Sequence, residues 1–232
     1  MPLSDPLISI IIPTLNEEQH LKLVLSFLND FRKEQIEIII SDGGSSDNTI
    51  AVAQQYECLL ISSSKGRAVQ MNKGARVAKG DVLYFLHADS IPPKDWLEQI
   101  KKSLNAGFVA GCFRLQFDWQ HWFLESNAWF TKFSGNALRF GDQSLFVTKN
   151  VFEEVGGFSE DHFLMEDQEI VYRITKKGKL KVMSGYIVTS ARKYRKNGPY
   201  RMQAIFFYIY FAYVFGVSQS RLTRMYQRLI RT

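Results

Sequence analysis

The run Val82-Leu83-Tyr84-Phe85-Leu86-His87-Ala88-Asp89-Ser90 carries the clearest chemical expectation in the chain. Five apolar residues lead straight into His-Ala-Asp, and Pro92-Pro93 blocks further strand. Such a run reads as a strand buried on both faces that delivers a carboxylate to its carboxyl end, the edge where open α/β sheets bind ligands. An aspartate there is costly unless it is hydrated, hydrogen-bonded or bound to a cation. The expectation is that Asp89 holds a divalent metal and that the metal holds a nucleotide diphosphate.

The elements that would position Asp89 follow from the apolar pattern. Leu7 to Ile12 reads as a first strand ended by Pro13. Thr14-Leu15-Asn16-Glu17-Glu18 then opens a helix, with Thr14 or Asn16 as its cap and Leu21, Val24, Leu25, Leu28 and Phe31 on one face. Ile36 to Ile40 is a second strand. It runs into Ser41-Asp42-Gly43-Gly44-Ser45-Ser46-Asp47-Asn48-Thr49, a glycine-rich turn with two carboxylates, and a helix reaching Gln54. Cys58 to Ile61 is a third strand, Ser62 to Arg67 a polar loop, and Ala68, Met71, Ala75 and Ala78 mark a helix capped by Gly80. Four alternations of strand and helix in 90 residues predict a parallel sheet with helices on its faces. Pro13, Asp42 and Asp89 then fall at one edge, and together they suggest a nucleotide site.

Beyond Pro93 the rhythm changes. A helix is expected over Trp96 to Leu104, an antiparallel strand over Phe108 to Phe117, and a strand over Ser144 to Thr148. Trp119 to Phe133 is aromatic-rich and fits no period. Gly156-Gly157-Phe158 is a turn. Met165 to Lys176 is a helix that opens on Glu166-Asp167, buries Ile170, Val171 and Ile174, and stops at Gly178. Two short strands, Leu180 to Met183 and Tyr186 to Val188, precede a basic stretch, Arg192 to Lys196, and a turn at Asn197-Gly198-Pro199. Ala204 to Val217 is almost wholly apolar and aromatic, and a second basic run spans Arg221 to Arg231.

Bulk properties narrow the function. The 232 residues are 46% hydrophobic and 22% charged, which suits one globular domain with a short appendage and excludes a disordered chain. A net charge of +6 fits an anionic ligand or an anionic membrane surface. Basic residues form no long stripe before the C-terminal region, so nucleic acid is not an expected partner. Cys58 and Cys112 make neither a metal spacing nor a disulfide framework, and Met1 to Asp5 lacks the features of a signal peptide. A cytoplasmic location is expected, either free or peripheral on the inner face of the cell membrane.

The pieces Ile-Ile-Pro-Thr-Leu-Asn-Glu (11 to 17), Ser-Asp-Gly-Gly-Ser-Ser-Asp-Asn-Thr (41 to 49), Lys-Gly-Arg-Ala (65 to 68) with Met71-Asn72, Leu-His-Ala-Asp (86 to 89), Gly156-Gly157-Phe158 and Glu166-Asp167 occur in this order. In this the chain resembles a family-two glycosyltransferase of the GT-A fold over roughly residues 7 to 195. It is most similar to short bacterial members labelled for arsenosugar biosynthesis. The resemblance implies an α/β GT-A fold: a mostly parallel mixed sheet flanked by helices. Residues 1 to 195 would form the catalytic domain, with a nucleotide-binding half (1 to 90) and an acceptor-side half (91 to 195). Residues 196 to 232 would be a helical tail.

The resemblance also implies roles. Pro13, Thr14 and Glu17 would lie against the nucleoside, and Asp42 would accept a hydrogen bond from the base, as family members do with uracil. Lys65, Arg67, Asn72, His87 and Ala88 complete the donor set, and Asp89 matches the last aspartate of an Asp-x-Asp metal motif. Asp167, beside Glu166, matches the catalytic base. His87 replaces the motif's first aspartate. It brings no charge when neutral, so it either ligates metal weakly or touches only the ribose or a water. Gly141, Asp142 and Gln143 would line the acceptor pocket.

The implied reaction is metal-dependent, inverting transfer of a sugar from a nucleotide-diphosphate donor to a hydroxyl acceptor, with Mg²⁺ or Mn²⁺ as cofactor. Two rivals stand beside it: a nucleotidyltransferase, and a binding module that keeps the nucleotide-sugar pocket without turnover. Trp119, Trp122 and Trp129 stack on a sugar or lipid or belong to the core. The apolar run 204 to 217 is about 14 residues, short of the ~20 that span a bilayer. It lies in a membrane interface, or it packs on the catalytic domain or on a second copy as a homo-oligomer contact.

Overall fold

The computed structural model describes residues 5 to 133 and 141 to 231. The first half builds as its pattern requires: β1 (Ile8–Thr14), α1 (Glu18–Asn29), β2 (Ile36–Asp42), α2 (Thr49–Ala53), β3 (Leu59–Ser62), α3 (Arg67–Val77) and β4 (Val82–Phe85). These four strands are mutually parallel. They are followed by β5 (Ser90–Ile91), α4 (Trp96–Asn105), β6 (Ala110–Phe117), α5 (Trp122–Phe130), a short 3-10 turn (Gly141–Gln143), β7 (Leu145–Thr148), α6 (Lys149–Glu154), α7 (Glu166–Thr175) and β8 (Leu180–Thr189). Three helices close the chain: α8 (Arg192–Asn197), α9 (Pro199–Val214) and α10 (Gln219–Leu229). The sheet has eight strands in the order β3-β2-β1-β4-β7-β6-β8-β5. β7 is antiparallel to both β4 and β6, while β6 and β8 run parallel.

β4 lies inside the sheet, and its alternate residues feed two cores. Val82, Tyr84 and Leu86 join Trp96, Ile100 and the α1 face, whereas Leu83 and Phe85 join Met71, Phe158 and Ile170. Tyr84 stacks on Trp96 at 5.2 Å. A third core joins α5 to the tail helices through Leu124, Tyr194, Met202, Ile205, Ile209 and Leu222.

Several local expectations are corrected. Pro13 does not end β1, which continues to Thr14 opposite Asp42. Successive residues of a parallel strand bond to opposite sides. Ile11 accepts from Leu86 on the β4 side and Thr14 from Gly43 on the β2 side. Pro13 therefore faces the β4 side, where strand pairing has already stopped at Phe85, and its missing N–H costs nothing. Neither Thr14 nor Asn16 caps α1. The Glu17 N–H donates to Thr49 Oγ1 (2.8 Å) and the Glu18 N–H to Asp47 Oδ2 (3.2 Å), so the helix is capped by the second turn, thirty residues away. The two strands expected after residue 180 are one strand, β8. Its register against β6 shifts between Cys112 and Arg114, and the Ser184-Gly185 interruption is a bulge.

Gly80 does not cap α3, which ends at Val77 with an extended Ala78. It lies where the chain crosses β1: its N–H donates to Ser9 Oγ at 2.9 Å, and a Cβ would meet Ser9 Oγ at 2.5 Å and the Leu7 carbonyl at 2.6 Å. Gly80→Ala is therefore expected to destabilise the fold by about 1–3 kcal/mol, read as a lower denaturant midpoint at unchanged slope.

Candidate active site

The carboxyl ends of β1 and β4 and the start of α3 surround a cavity of about 270 Å³. Its wall includes Pro13, Thr14, Glu17, Lys65, Arg67, His87, Ala88 and Asp89, all expected from sequence, together with Leu15, Gly66, Gln70 and Arg192.

Buried polar groups hold the rim. Gln70, from α3, donates its amide to the carbonyls of Thr14 (2.7 Å) and Ser41 (2.8 Å), tying the ends of β1 and β2 together. Asp42 lies behind Thr14 and is itself 3% exposed. Its carboxylate accepts from the Thr14 hydroxyl (3.2 Å), the Ser45 hydroxyl (2.5 Å) and the N–H groups of Gly44 and Ser45 (2.9 Å each). Burial pushes its pKa up, but these donors outweigh burial and hold it below the usual carboxylate range.

Arg67 is the centre of the charge distribution. It opens α3 directly after Gly66, whose φ of 141° is open to glycine. The guanidinium keeps 48% of its side chain open to the cleft and comes within 3.8 Å of Glu166 Oε1. Burial opposes its charge, but the fields of Glu166, Asp142, Asp167 and Asp89 prevail, and its pKa is raised. Four carboxylates from three parts of the chain thus act on one cation. Lys65 and the amino end of α3 add positive potential on the same lip.

Glu166 and Asp167 open α7. Met165, in a left-handed conformation (φ 63°), turns the chain into this helix. Burial raises the pKa of both acids; Asp167 raises Glu166 further, while Arg67 pulls both down. Glu166 is 3% exposed, whereas Asp167 is partly open. His87 Nδ1 lies 3.3 Å from Asp142 Oδ1. Burial disfavours the charged imidazole, yet the Asp142 contact outweighs it, so His87 is raised and Asp142 lowered.

Asp89 makes a contact that the sequence did not announce. Arg192, the first residue of α8, places Nη2 at 3.1 Å from Asp89 Oδ2 and also engages both oxygens of Glu17, with Nη1 at 2.7 Å from Oε2. Arg192 thus bridges the residue expected at the nucleoside and the residue expected at the metal. Its signal in the sequence was only a basic run, the usual mark of a solvated surface. Gln70 gave no signal beyond its place on α3.

The other expected residues, Asp42, Glu166 and Asp167 among them, lie off the cavity wall. Asn72 donates Nδ2 to the Phe158 carbonyl and to Glu160 Oε1 (2.9 Å each), and accepts from the Phe158 N–H (2.9 Å), clamping the turn that precedes α7. Gln143 is fully buried and donates to the Phe113 carbonyl at 3.1 Å. Gly141 and Asp142 belong to the same 3-10 turn.

Among the described residues no group of three or more His, Cys, Asp or Glu side chains could hold a metal alone. Asp89 supplies one carboxylate on the cavity wall, and the His87 ring nitrogen nearest Asp142 is engaged. This donor set suits a hard divalent cation completed by phosphate oxygens and water, the mode usual for Mg²⁺ at nucleotide sites.

Comparison with known proteins bears on the family and the fold. The family model Glycosyl transferase family 2 matches residues 9–159. Curated relatives include glycosyltransferase AglE of Haloferax volcanii, 30% identical over 40% of this chain and 34% of its own length. Another is a dolichyl N-acetyl-glucosaminyl phosphate diacetamido-glucuronosyltransferase of Methanococcus voltae, 36% identical over 39% of this chain and 32% of its own. The matches thus span about a third of the length of these relatives. Among solved structures, mannosyltransferase PcManGT from Pyrobaculum calidifontis, in complex with GDP-Man and Mn²⁺, superposes with a TM-score of 0.73 at 18% identity, covering 97% of this chain and 69% of that one. S. aureus TarS 1-349 with UDP-GlcNAc gives 0.63 at 16% identity, covering 79% and 58%. The eight-stranded mixed sheet is of the GT-A-like fold. With the family model matched from β1 past β7, over more than half of its length, the chain belongs to glycosyl transferase family 2.

Proposed function

We propose that this chain transfers a sugar from a nucleotide-diphosphate donor to a hydroxyl acceptor, with inversion at the anomeric carbon. The observation that carries the reading is that Arg67, which shares the cavity wall with Asp89, also lies in the field of Asp142, Glu166 and Asp167. The nucleoside lies along Pro13, Thr14 and Leu15, with Asp42 holding Thr14 and the 43 to 45 loop in place. The diphosphate lies against Lys65, Arg67 and the amino end of α3. A divalent cation, Mg²⁺ or Mn²⁺, held by Asp89 and the diphosphate would offset the charge that grows on the leaving group. His87, whose Nδ1 pairs with Asp142, faces the phosphate as a hydrogen-bond donor and not as a metal ligand. Arg192 leaves Asp89 and turns its guanidinium to the phosphate oxygens. Asp167 takes the proton of the acceptor hydroxyl, while Glu166 stays with Arg67. Attack from the face opposite the leaving group inverts the centre. Membership of the short bacterial group labelled for arsenosugar biosynthesis rests on the motif resemblance alone, and that label does not name the acceptor.

Two structural neighbours were solved with a GDP-sugar and a UDP-sugar, which supports a nucleotide-sugar donor here. The test is a thermal-shift screen of the full chain against nucleotide sugars with Mn²⁺. Saturation near 100 Kd stabilises by about 2.7 kcal/mol, so the true donor should raise Tm by roughly 5–10 °C. A chain that no nucleotide sugar stabilises would contradict the reading. Stabilisation by a nucleoside triphosphate, with pyrophosphate released in the presence of a sugar phosphate, would replace it by nucleotidyl transfer.

A further inference from the structure

From Ala204 onward the tail helix α9 is apolar or aromatic on every side. Met202, Ile205 and Ile209 face the third core. The opposite stripe is exposed: Phe207, Tyr208, Phe211 and Val214 are 54–59% accessible, and Phe215, which follows the helix, is 84% accessible. Their spacing keeps them on one side of the helix. The patch continues past Tyr200, at the start of α9, whose ring lies 6.2 Å from that of Trp122 on α5, itself 65% exposed. Contiguous apolar surface of this kind marks an interaction site.

Charge identifies what covers it. Residues 192 to 232 contain nine Lys or Arg and no Asp or Glu. The chain has 29 basic and 23 acidic residues in all, so the first 191 residues carry a net −3 and the tail supplies the whole positive excess. Arg221, Arg224 and Arg228 form one exposed stripe on α10, the helix that packs beside α9. A second copy docking across a two-fold axis would set this positive surface against itself. Exposed Phe and Tyr on α9, with exposed arginines on the helix packed beside it, match the interface of an anionic bilayer, where aromatic rings sit at headgroup depth and basic side chains meet acidic lipid.

We propose that the α9–α10 face docks on the surface of an anionic lipid bilayer, with Phe207, Phe211 and Phe215 entering the interface. The helix lies in the plane of the membrane and does not cross it: its 16 residues reach about 24 Å, short of the ~30 Å hydrocarbon core. No helix among the described residues is long and apolar enough to span. The docking surface is tied to the cleft. Phe206 of α9 stacks on Tyr226 of α10, and Arg192, on the cavity wall, begins the helix that leads into α9. If the transferase reading holds, this orientation brings Asp167 toward an acceptor hydroxyl carried by a membrane lipid.

Vesicle co-sedimentation of the full chain tests the proposal without any donor or turnover. Vesicles of phosphatidylcholine alone are compared with vesicles of equal parts phosphatidylcholine and phosphatidylglycerol. The chain is expected to sediment with the anionic vesicles and scarcely with the neutral ones, and added salt should weaken binding. Replacing Phe207, Phe211 and Phe215 together by Ser removes exposed side chains only and should lower partitioning on the order of 10-fold or more. Arg221→Gln with Arg224→Gln and Arg228→Gln should weaken the anionic preference by roughly 5-fold per charge. Negligible binding to both vesicles, or equal binding by wild type and the triple Phe variant, would overturn the proposal. So would a stable dimer that ignores vesicles. Such failure leaves the donor screen untouched, and failure of the donor screen leaves vesicle binding untouched.

Discussion

Asp167→Asn is expected to lower turnover by about 100- to 10,000-fold, the usual contribution of a positioned general base, while donor affinity stays close to wild type. The asymmetry follows from where the group stands. Asp167 is the partly open acid of the pair, whereas Glu166 is buried and directed at Arg67. Asn keeps the shape and cannot accept the proton. Burial raises the Asp167 pKa, so the acid limb of wild-type kcat/KM should lie above the ordinary aspartate range. The base works ionised, so activity rises as pH climbs through the raised value and is lost below it. Arg67 pulls that value down; Arg67→Met should therefore move the limb to still higher pH. The same burial fixes the sign for stability. A carboxyl whose folded-state pKa is raised destabilises the fold once it ionises, at pH above its unfolded value. Asp167→Asn should thus show an equal or higher Tm at neutral pH. Near wild-type turnover in this variant would remove Asp167 from its role.

Asp89→Ala is expected to abolish the metal dependence of nucleotide binding. Titration calorimetry of the wild-type chain with a nucleoside diphosphate should show tighter binding with Mn²⁺ than without. In the variant the two isotherms should coincide, with a loss of roughly 100-fold or more, because even outer-shell partners of a metal are worth 10- to 100-fold. Metal-free binding should survive, since Lys65 and Arg67 remain on the wall. Asp89→Ala also releases Arg192 from one of its two carboxylates, leaving Glu17. A variant that keeps a full Mn²⁺ effect would place the cation elsewhere.

The parts of this site that could be seen in the sequence are those where one short stretch determines its own structure. Val82 to Leu86 is apolar without a break because both faces of β4 are covered, and its end fixes Asp89 at the sheet edge. The α1 face was legible for the same reason: Leu21, Val24, Leu25 and Leu28 repeat at helical spacing and are all buried. What stayed hidden depends on contacts between distant segments. Arg192 lies about a hundred residues after Asp89 and reads as one of a run of basic residues; only the return of β8 to β5 and β6 brings it to the cleft. The start of α1 looked self-capped, because sequence shows Thr14 and Asn16 nearby and cannot show Asp47 and Thr49 folding back onto it. Asn72 sits inside a recognisable motif, yet its amide is spent on Phe158, so motif membership alone did not give its contacts. The aromatic stretch before Phe133 fits no period because α5 buries Leu124 and Ala128 while exposing Trp122 and Trp129.

The central claim is that one cleft gathers a cation-binding carboxylate and a proton-accepting carboxylate around a single diphosphate. Anomalous scattering from Mn²⁺, in crystals grown with a nucleoside diphosphate, addresses it most directly. The account predicts one Mn²⁺ peak bonded to Asp89 and to diphosphate oxygens, with Arg67 on the same diphosphate and Asp167 facing the space where the sugar would lie. A nucleotide bound with Mn²⁺ away from Asp89, or with Asp167 turned out of the cleft, would contradict it.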